Sequence, residues 1–216
     1  MEIKKINSKR NFTESMKRIW LGRHGKAPHN RGDADATFGG GRLDNNLTQQ
    51  GVDATNILAN EIYKHCGVDI ILCSKMKRSH QTAEIIANKL GELGHDVPII
   101  EIDDLQEVDV GDFTECTERE ARKINFHAAE AFYQGKIDGW DFPNGENYKD
   151  LSLRVSSVIV QILELTKKYN NIFVVGHGMF NRVICFELFP DRDDLWKDRT
   201  YPHDRVIMLD LENCNL

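Results

Sequence analysis

What this sequence lacks narrows it first. No apolar run approaches the roughly 20 residues of a membrane-spanning helix, and the mean hydropathy is −0.48, so no membrane partner is expected. The five cysteines, Cys66, Cys73, Cys116, Cys185 and Cys214, are odd in number, scattered and nowhere spaced as C-x-x-C. That pattern excludes a disulfide framework and a zinc site and predicts reduced, structural thiols. Basic charge is not in excess either: 28 Lys+Arg against 34 Asp+Glu leave a net charge of −6. Non-specific nucleic-acid affinity needs many phosphate contacts, so no nucleic-acid partner is expected and any positive charge that matters is local. The first 18 residues mix Lys4, Lys5, Lys9, Arg10, Lys17 and Arg18 with Asn and Ser but hold no apolar h-region, so a secretory signal is not expected and the cytoplasm is. Repeats, low-complexity tracts and linker-like shifts are absent apart from the polar extension 1–17. With 216 residues, 40% of them apolar, the chain is expected to fold as one domain with a substantial core.

What is present alternates short apolar runs with longer amphipathic stretches, the pattern of an α/β domain: a three-layer α/β/α sandwich with a mostly parallel sheet. Strands are predicted at Ile19–Leu21, Ile70–Cys73, Val97–Ile102, Ile172–Val175 and, closing the sheet, Val206–Leu211. A Gly-rich loop through Phe38-Gly39-Gly40-Gly41 precedes a helix capped by Thr48. Ala83, Ile86, Ala87 and Leu90 form a core-facing stripe, as do Leu151, Val155, Val158, Ile159 and Ile162. A short helix is expected over Met179–Leu188. Residues 111–147 break the pattern with one helix over Glu118–Phe132 and a Gly/Pro-punctuated stretch, and read as a short cap. Its aromatics, Phe126, Phe132, Tyr133, Trp140 and Phe142, are expected to pack a small core rather than a substrate cage.

The chemistry gathers where strands end. The first strand runs into Gly22-Arg23-His24-Gly25, the second into Ser74-Lys75-Met76-Lys77-Arg78, and the strand at 172–175 into Gly176-His177-Gly178. Ligands of open α/β sheets bind beyond the carboxyl ends of the strands, so two histidines and two arginines can converge on one crevice. One histidine beside glycines is usually a turn residue; the paired placement makes the difference. Arginine offers a permanently charged planar fork matched to phosphate oxygens, which points to a phosphorylated ligand. Flanking glycines allow the close approach an anion site needs. No His or carboxylate cluster has metal-ligand spacing.

These residues carry a resemblance. Arg23-His24-Gly25 with Asn30 is similar to the signature of the histidine phosphatase superfamily, in its phosphoglycerate mutase-like branch. Further matches follow in order: Leu47-Thr48 with Gly51, Ser74 with Arg78, Gln81, Thr82 and Ala83, Glu107 with Gly111, Gly145-Glu146 with Arg154-Val155, and Gly176-His177-Gly178. They span about residues 19–211. The resemblance implies that His24 is the nucleophile taking the phosphoryl group, that Arg23, Arg78 and His177 hold its oxygens, that Asn30 and Gly178 add to the phosphate site, and that Glu107 is the general acid. It implies phosphoryl transfer without metal or other cofactor, a protonated second histidine helping the two arginines neutralise charge. The partner is then a small phosphorylated substrate; oligomeric state is left open.

Two departures bear on substrate rather than chemistry. Lys26-Ala27 follows the Arg-His-Gly triplet where the family often has an acidic residue or Gln and then Ser or Thr, and Phe113-Thr114-Glu115 replaces a frequent Trp-Glu-Gly. Arg31, Arg42 and Lys75 are possible rim charges without an assigned role. Only 38 residues separate Glu107 from Glu146, fewer than in the family's mutases, and Gly135, Gly139 and Gly145 are expected to make the cap flexible. A phosphatase is therefore expected, with a phosphoglycerate mutase-type transferase or a silent anion-binding domain as alternatives.

Overall fold

The computed structural model describes residues 2–5, 17–31, 36–197 and 201–210. Their six strands are β1 (Glu2–Lys5), β2 (Arg18–Arg23), β3 (Ile70–Cys73), β4 (Ile99–Glu101), β5 (Asn171–Gly176) and β6 (Arg205–Asp210). They form one sheet in the order β1-β6-β2-β5-β3-β4. All neighbours are parallel except β6 and β2, which are antiparallel.

Strand alternation divides the core. Ile19 and Leu21, Ile70 and Leu72, and Ile172 and Val174 face one cluster, while Trp20, Ile71, Cys73, Phe173 and Val175 face the other. Helices α1 (Gln49–His65) and α2 (Lys77–Glu92) cover the second face through Leu58, Ile62, Ala83 and Ile86. Helices α5 (Tyr148–Leu165) and α6 (Gly178–Leu188) cover the first with Leu151, Val155, Phe180 and Val183, giving three layers. Each large side chain fully buried in this way, Trp20 and Phe173 among them, contributes about 1.5–3 kcal/mol. Thr48 caps α1 as expected, its Oγ1 accepting the Gly51 N–H.

Four expectations are corrected. The polar N-terminal extension supplies an edge strand, Glu2–Lys5, whose mixed composition gave no apolar signal; parallel pairing with β6 defines it. The run at 206–211 does not close the sheet at its edge: β6 lies between β1 and β2, and Leu211 is outside the described residues. The strand at 97–102 is only Ile99–Glu101. The single helix at 118–132 is two, α3 (Glu118–Ile124) and α4 (Phe126–Tyr133). Asn125 separates them in an extended conformation, its side chain accepting the Ala128 N–H as N-cap of α4, an alternative to helix that Asn side chains readily offer the backbone. A short helix, α7 (Asp193–Trp196), lies between α6 and β6.

The cap aromatics divide. Trp140 and Phe142 are buried and stacked at 5.2 Å, whereas Phe126 is 56% exposed. Gly145 is packed against the backbone of Gly111, and the Gly135 carbonyl accepts from Arg182 Nη2. Gly145 therefore serves close packing, and Gly135 takes a φ of +71° that glycine favours.

Candidate active site

Register brings the histidines together. In β2 and β5 Arg23 pairs with Gly176, so the next residues, His24 and His177, emerge side by side with ring centroids 5.0 Å apart. In β3 and β5 Cys73 pairs with Val175. Ser74 therefore follows beside His177, and its Oγ lies 2.7 Å from His177 Nε2.

The hydrogen bonds of His24 define its tautomer. Nδ1 is 2.7 Å from the carbonyl of Gly25, which can only accept, so Nδ1 carries the proton. Nε2 is left with a lone pair, to which Arg78 Nε–H donates at 3.2 Å. Burial first, and then the nearby His177, Arg78 and Arg23, push His24 well below the usual histidine range, so the ring is neutral. The matched residues around it act as scaffolding. Thr82 Oγ1 accepts the Gly25 N–H, Thr48 N–H and Oγ1 donate to the Lys26 carbonyl, and Gln81 accepts the Leu47 N–H.

Arg78 opens α2 and is buried. Its Nη2 donates to the Gly40 carbonyl at 3.0 Å and its Nη1 to the Leu43 carbonyl at 2.5 Å, so the Gly-rich loop holds the guanidinium rather than a phosphate. Arg23 donates through Nη1 to the Tyr201 carbonyl; burial lowers it to about 10, with Glu107 opposing the shift. Its guanidinium lies against the Cα of Gly178, where an added Cβ would stand 3.3 Å from Arg23 Cζ. His177 is buried and Nδ1 has no partner among the described residues. Burial, Arg78, Arg23 and Arg154 push it well below the usual range. The expected protonated second histidine is thus corrected to a neutral ring, burial being the first cause and the nearby arginines adding to it. Asn30 Oδ1 is taken by the Ala27 N–H at 3.0 Å, leaving Nδ2 as its donor toward the cavity it lines.

Glu107 lies across from the histidines at the start of α6. Its oxygens accept the N–H groups of Met179 and Phe180 at 3.2 Å and of Val108 at 3.0 Å, which fix the carboxyl group at the helix start. The matched Glu146 and Arg154 steady its loop. They form a two-pronged pair at 2.6 and 2.7 Å; Arg154 Nη1 donates to the carbonyls of Asp104 and Gln106, and Glu146 Oε2 accepts the Asp109 N–H. Gly111 is there because φ is +56° and an added Cβ would stand 2.0 Å from the Pro143 carbonyl oxygen.

A cavity of about 360 Å³ adjoins Arg23 and Glu107, whereas His24, Arg78 and His177 are buried and are not among its lining residues. Arg23, Asn30, Glu107 and Gly178 line it, together with two histidines that sequence reading missed, His29 and His203. His203 Nδ1 donates to the His24 carbonyl at 2.5 Å. Burial lowers it to about 2 and His29 to about 3, with nearby arginines adding to both shifts. The clue to His203 was its place just before β6: an antiparallel strand delivers the residues preceding it to the end where parallel strands finish. His29 sat inside the signature loop, one residue before Asn30. Phe132 and Tyr133 pack against the core as expected and also line the cavity. Arg31 lines it as well, whereas Arg42 is paired with Asp109 and Lys75 with Asp103. Lys26 contributes its carbonyl to the Thr48 contact and is not part of the lining.

Among the described residues no group of three or more His, Cys, Asp or Glu is arranged to hold a metal ion, and no helix is long and apolar enough to cross a membrane. Comparison with known proteins gives a consistent result. Residues 19–215 match the family described as histidine phosphatase superfamily (branch 1). The chain is 27% identical to an adenosylcobalamin/alpha-ribazole phosphatase of Salmonella typhimurium, over 84% of this chain and 85% of that one. It is 30% identical to phosphoglycerate mutase-like protein 4 of Arabidopsis thaliana, over 64% of this chain and 58% of that one. The solved structure of Bacillus stearothermophilus YhfR shares the fold at a TM-score of 0.76 and 22% identity, covering 93% of this chain and 95% of that one.

Proposed function

From the premise that this chain belongs to the histidine phosphatase superfamily (branch 1), we propose that it hydrolyses a small phosphomonoester through a phosphohistidine on His24, without metal or other cofactor. The observation that carries the reading is the His24 tautomer: Nδ1–H committed to the Gly25 carbonyl and Nε2 presenting its lone pair beside Arg78. A neutral imidazole so held is a competent nucleophile and divides one difficult displacement into two easier ones. Residues 1–216 act as one unit in this reading, 111–147 being its cap. The free, mostly buried cysteines go with a cytoplasmic location, checked by cell fractionation.

In the first step Nε2 forms a bond to phosphorus as the P–O bond to the alcohol breaks. The bonding pair leaves on the alcohol oxygen, and Glu107 gives that oxygen a proton. Arg23 and Arg78 neutralise the phosphoryl oxygens, and Asn30 Nδ2 and His177 Nδ1 donate to them. That role for His177 requires the Ser74 hydroxyl to donate to its Nε2, so that the proton sits on Nδ1. In the second step water attacks phosphorus, Glu107 takes its proton, the N–P bond returns its pair to Nε2, and inorganic phosphate departs. Most of the catalysis in such transfers is positioning and charge stabilisation, for which two arginines are well suited.

Brief incubation with a phosphorus-labelled ester, followed by quenching, should give a base-stable, acid-labile adduct on His24 and release of inorganic phosphate that persists in chelator. An adduct on another residue type, or one that survives in His24→Ala, would overturn the mechanism.

A further inference from the structure

The cavity lining is of two kinds, and their contrast bears on what the phosphate is attached to. Its polar part is Arg23, His29, Asn30, Arg31, Glu107 and His203 with Thr37, while His24, Arg78 and His177 are buried and not among the lining residues. Its apolar part is Phe38, Val110, Phe132, Tyr133, Met179 and Pro202. Phe38, Val110 and Met179 are each nine-tenths or more buried. Phe38 packs on Phe132 with centroids 4.8 Å apart and edge-on to Tyr133 at 5.7 Å. Behind it stand Phe113 at 5.3 Å and Phe142 at 6.4 Å. Arg122 lies 5.5 Å from the Tyr133 ring centroid. The corner is therefore a packed aromatic surface with its backing in place, not a set of loose side chains.

Such a wall selects by what it cannot do. A polyhydroxylated leaving group, or one carrying a carboxylate as a second anion, would exchange water hydrogen bonds for contacts with hydrocarbon. An apolar body gains by the same transfer, and about 360 Å³ lies within the size range of a small-molecule site. Arg31 is the lining cation outside the proposed phosphate site, and His29, Thr37 and His203 also offer polar atoms to a hydroxylated or anionic body; a second anion at Arg31 supplies one arm of the test.

On the hydrolase reading above, we infer that the preferred substrates are phosphate monoesters of alcohols with an aromatic or other compact apolar body, seated against Phe38, Phe132 and Tyr133. The purified full chain should be compared on 2-phenylethyl phosphate, glycerol 3-phosphate and 3-phosphoglycerate by release of inorganic phosphate. All three are primary alkyl esters, so leaving-group chemistry is closely matched and the body is what differs. Burial of a ring should raise kcat/KM for 2-phenylethyl phosphate by about tenfold or more over both others, chiefly through KM. Phe132→Ala should bring the ratio of 2-phenylethyl phosphate to glycerol 3-phosphate down by about fivefold or more, and Phe132→Leu, which keeps apolar volume, should retain most of it. Equal or better turnover of glycerol 3-phosphate overturns the inference, as does a ratio untouched by Phe132→Ala. Preference for 3-phosphoglycerate overturns it in favour of a second anion site at Arg31. Each of these results leaves the hydrolase reading standing. Failure to release phosphate from all three esters and from p-nitrophenyl phosphate overturns both.

Discussion

Arg78 Nε–H lies 3.2 Å from His24 Nε2, so the cation proposed to stabilise the phosphoryl group also marks where the nucleophile's lone pair points. The arrangement depends on a fork: Nε faces the imidazole while Nη1 and Nη2 are anchored to the Leu43 and Gly40 carbonyls. A lysine keeps the charge but cannot meet three partners in one plane. Arg78→Lys should therefore lower kcat/KM by about 10²- to 10³-fold, the usual cost of losing a preorganised charge-stabilising donor. Steady-state kinetics on any accepted ester checks this, and a loss below fivefold would remove Arg78 from the proposed phosphate site.

Glu107 is assigned the proton transfer to the leaving oxygen, and that role can be separated from a structural one. Its oxygens also hold three backbone N–H groups, which a glutamine can satisfy only in part, so a single rate measurement is ambiguous. Leaving-group dependence resolves it. Glu107→Gln should lower turnover of an alkyl phosphate by about 10²- to 10⁴-fold and turnover of p-nitrophenyl phosphate, whose leaving group hardly needs a proton, by much less. Equal losses on both substrates would mean that Glu107 shapes the site without acting as its acid.

The four clustered histidines should make the fold sensitive to acid. His24 and His177 are held well below the usual range and His29 and His203 at about 3 and about 2, burial being the first cause in each. Because these folded-state values are depressed, the unfolded chain binds protons that the folded chain refuses. Stability is thus fully present above about pH 6.5 and falls as pH drops below it, continuing toward the folded-state values. Between pH 7.5 and 5.5 the loss should be about 1 kcal/mol per histidine. Urea midpoints across that range should fall more steeply for the natural chain than for His29→Asn/His203→Asn, and parallel slopes would contradict the prediction.

The residues at strand ends were legible because a strand end is a local event: an apolar run stops, and His24, His177 and Arg78 follow. The three layers were legible because periodicity is local too. What periodicity could not carry was strand order and direction. Reversal of β6 against β2 brings His203 to within a hydrogen bond of His24, and nothing in the run Val206–Leu209 states its direction. Composition hid β1, since Glu2–Lys5 is defined by its partner rather than by its own side chains. Charge was ambiguous as well. Arg182 is as buried as Arg78, yet it clamps the Trp196 and Gly135 carbonyls, and sequence alone cannot separate a buried arginine that holds the fold from one that faces a ligand.

Hydrolysis over mutation follows from what the phosphohistidine must meet next. A mutase has to keep water off that intermediate while its partly reacted substrate reorients, which calls for a closing cover over the pocket. A phosphatase needs water to enter as the alcohol leaves. Here the 38 residues between Glu107 and Glu146 are largely committed to their own packing. Trp140 and Phe142 are buried, Gly145 is wedged against Gly111, and the Gly135 carbonyl is tied to Arg182. The cap is thus short and already anchored, with little chain left to close over the pocket. Phosphorus NMR of the protein supplied with 3-phosphoglycerate, or with its preferred ester, should show inorganic phosphate appearing as fast as ester disappears, with no isomerised phosphate ester. If 2-phosphoglycerate accumulates faster than inorganic phosphate when a catalytic amount of bisphosphoglycerate is present, phosphoryl return outpaces attack by water, and the inference from cap length fails.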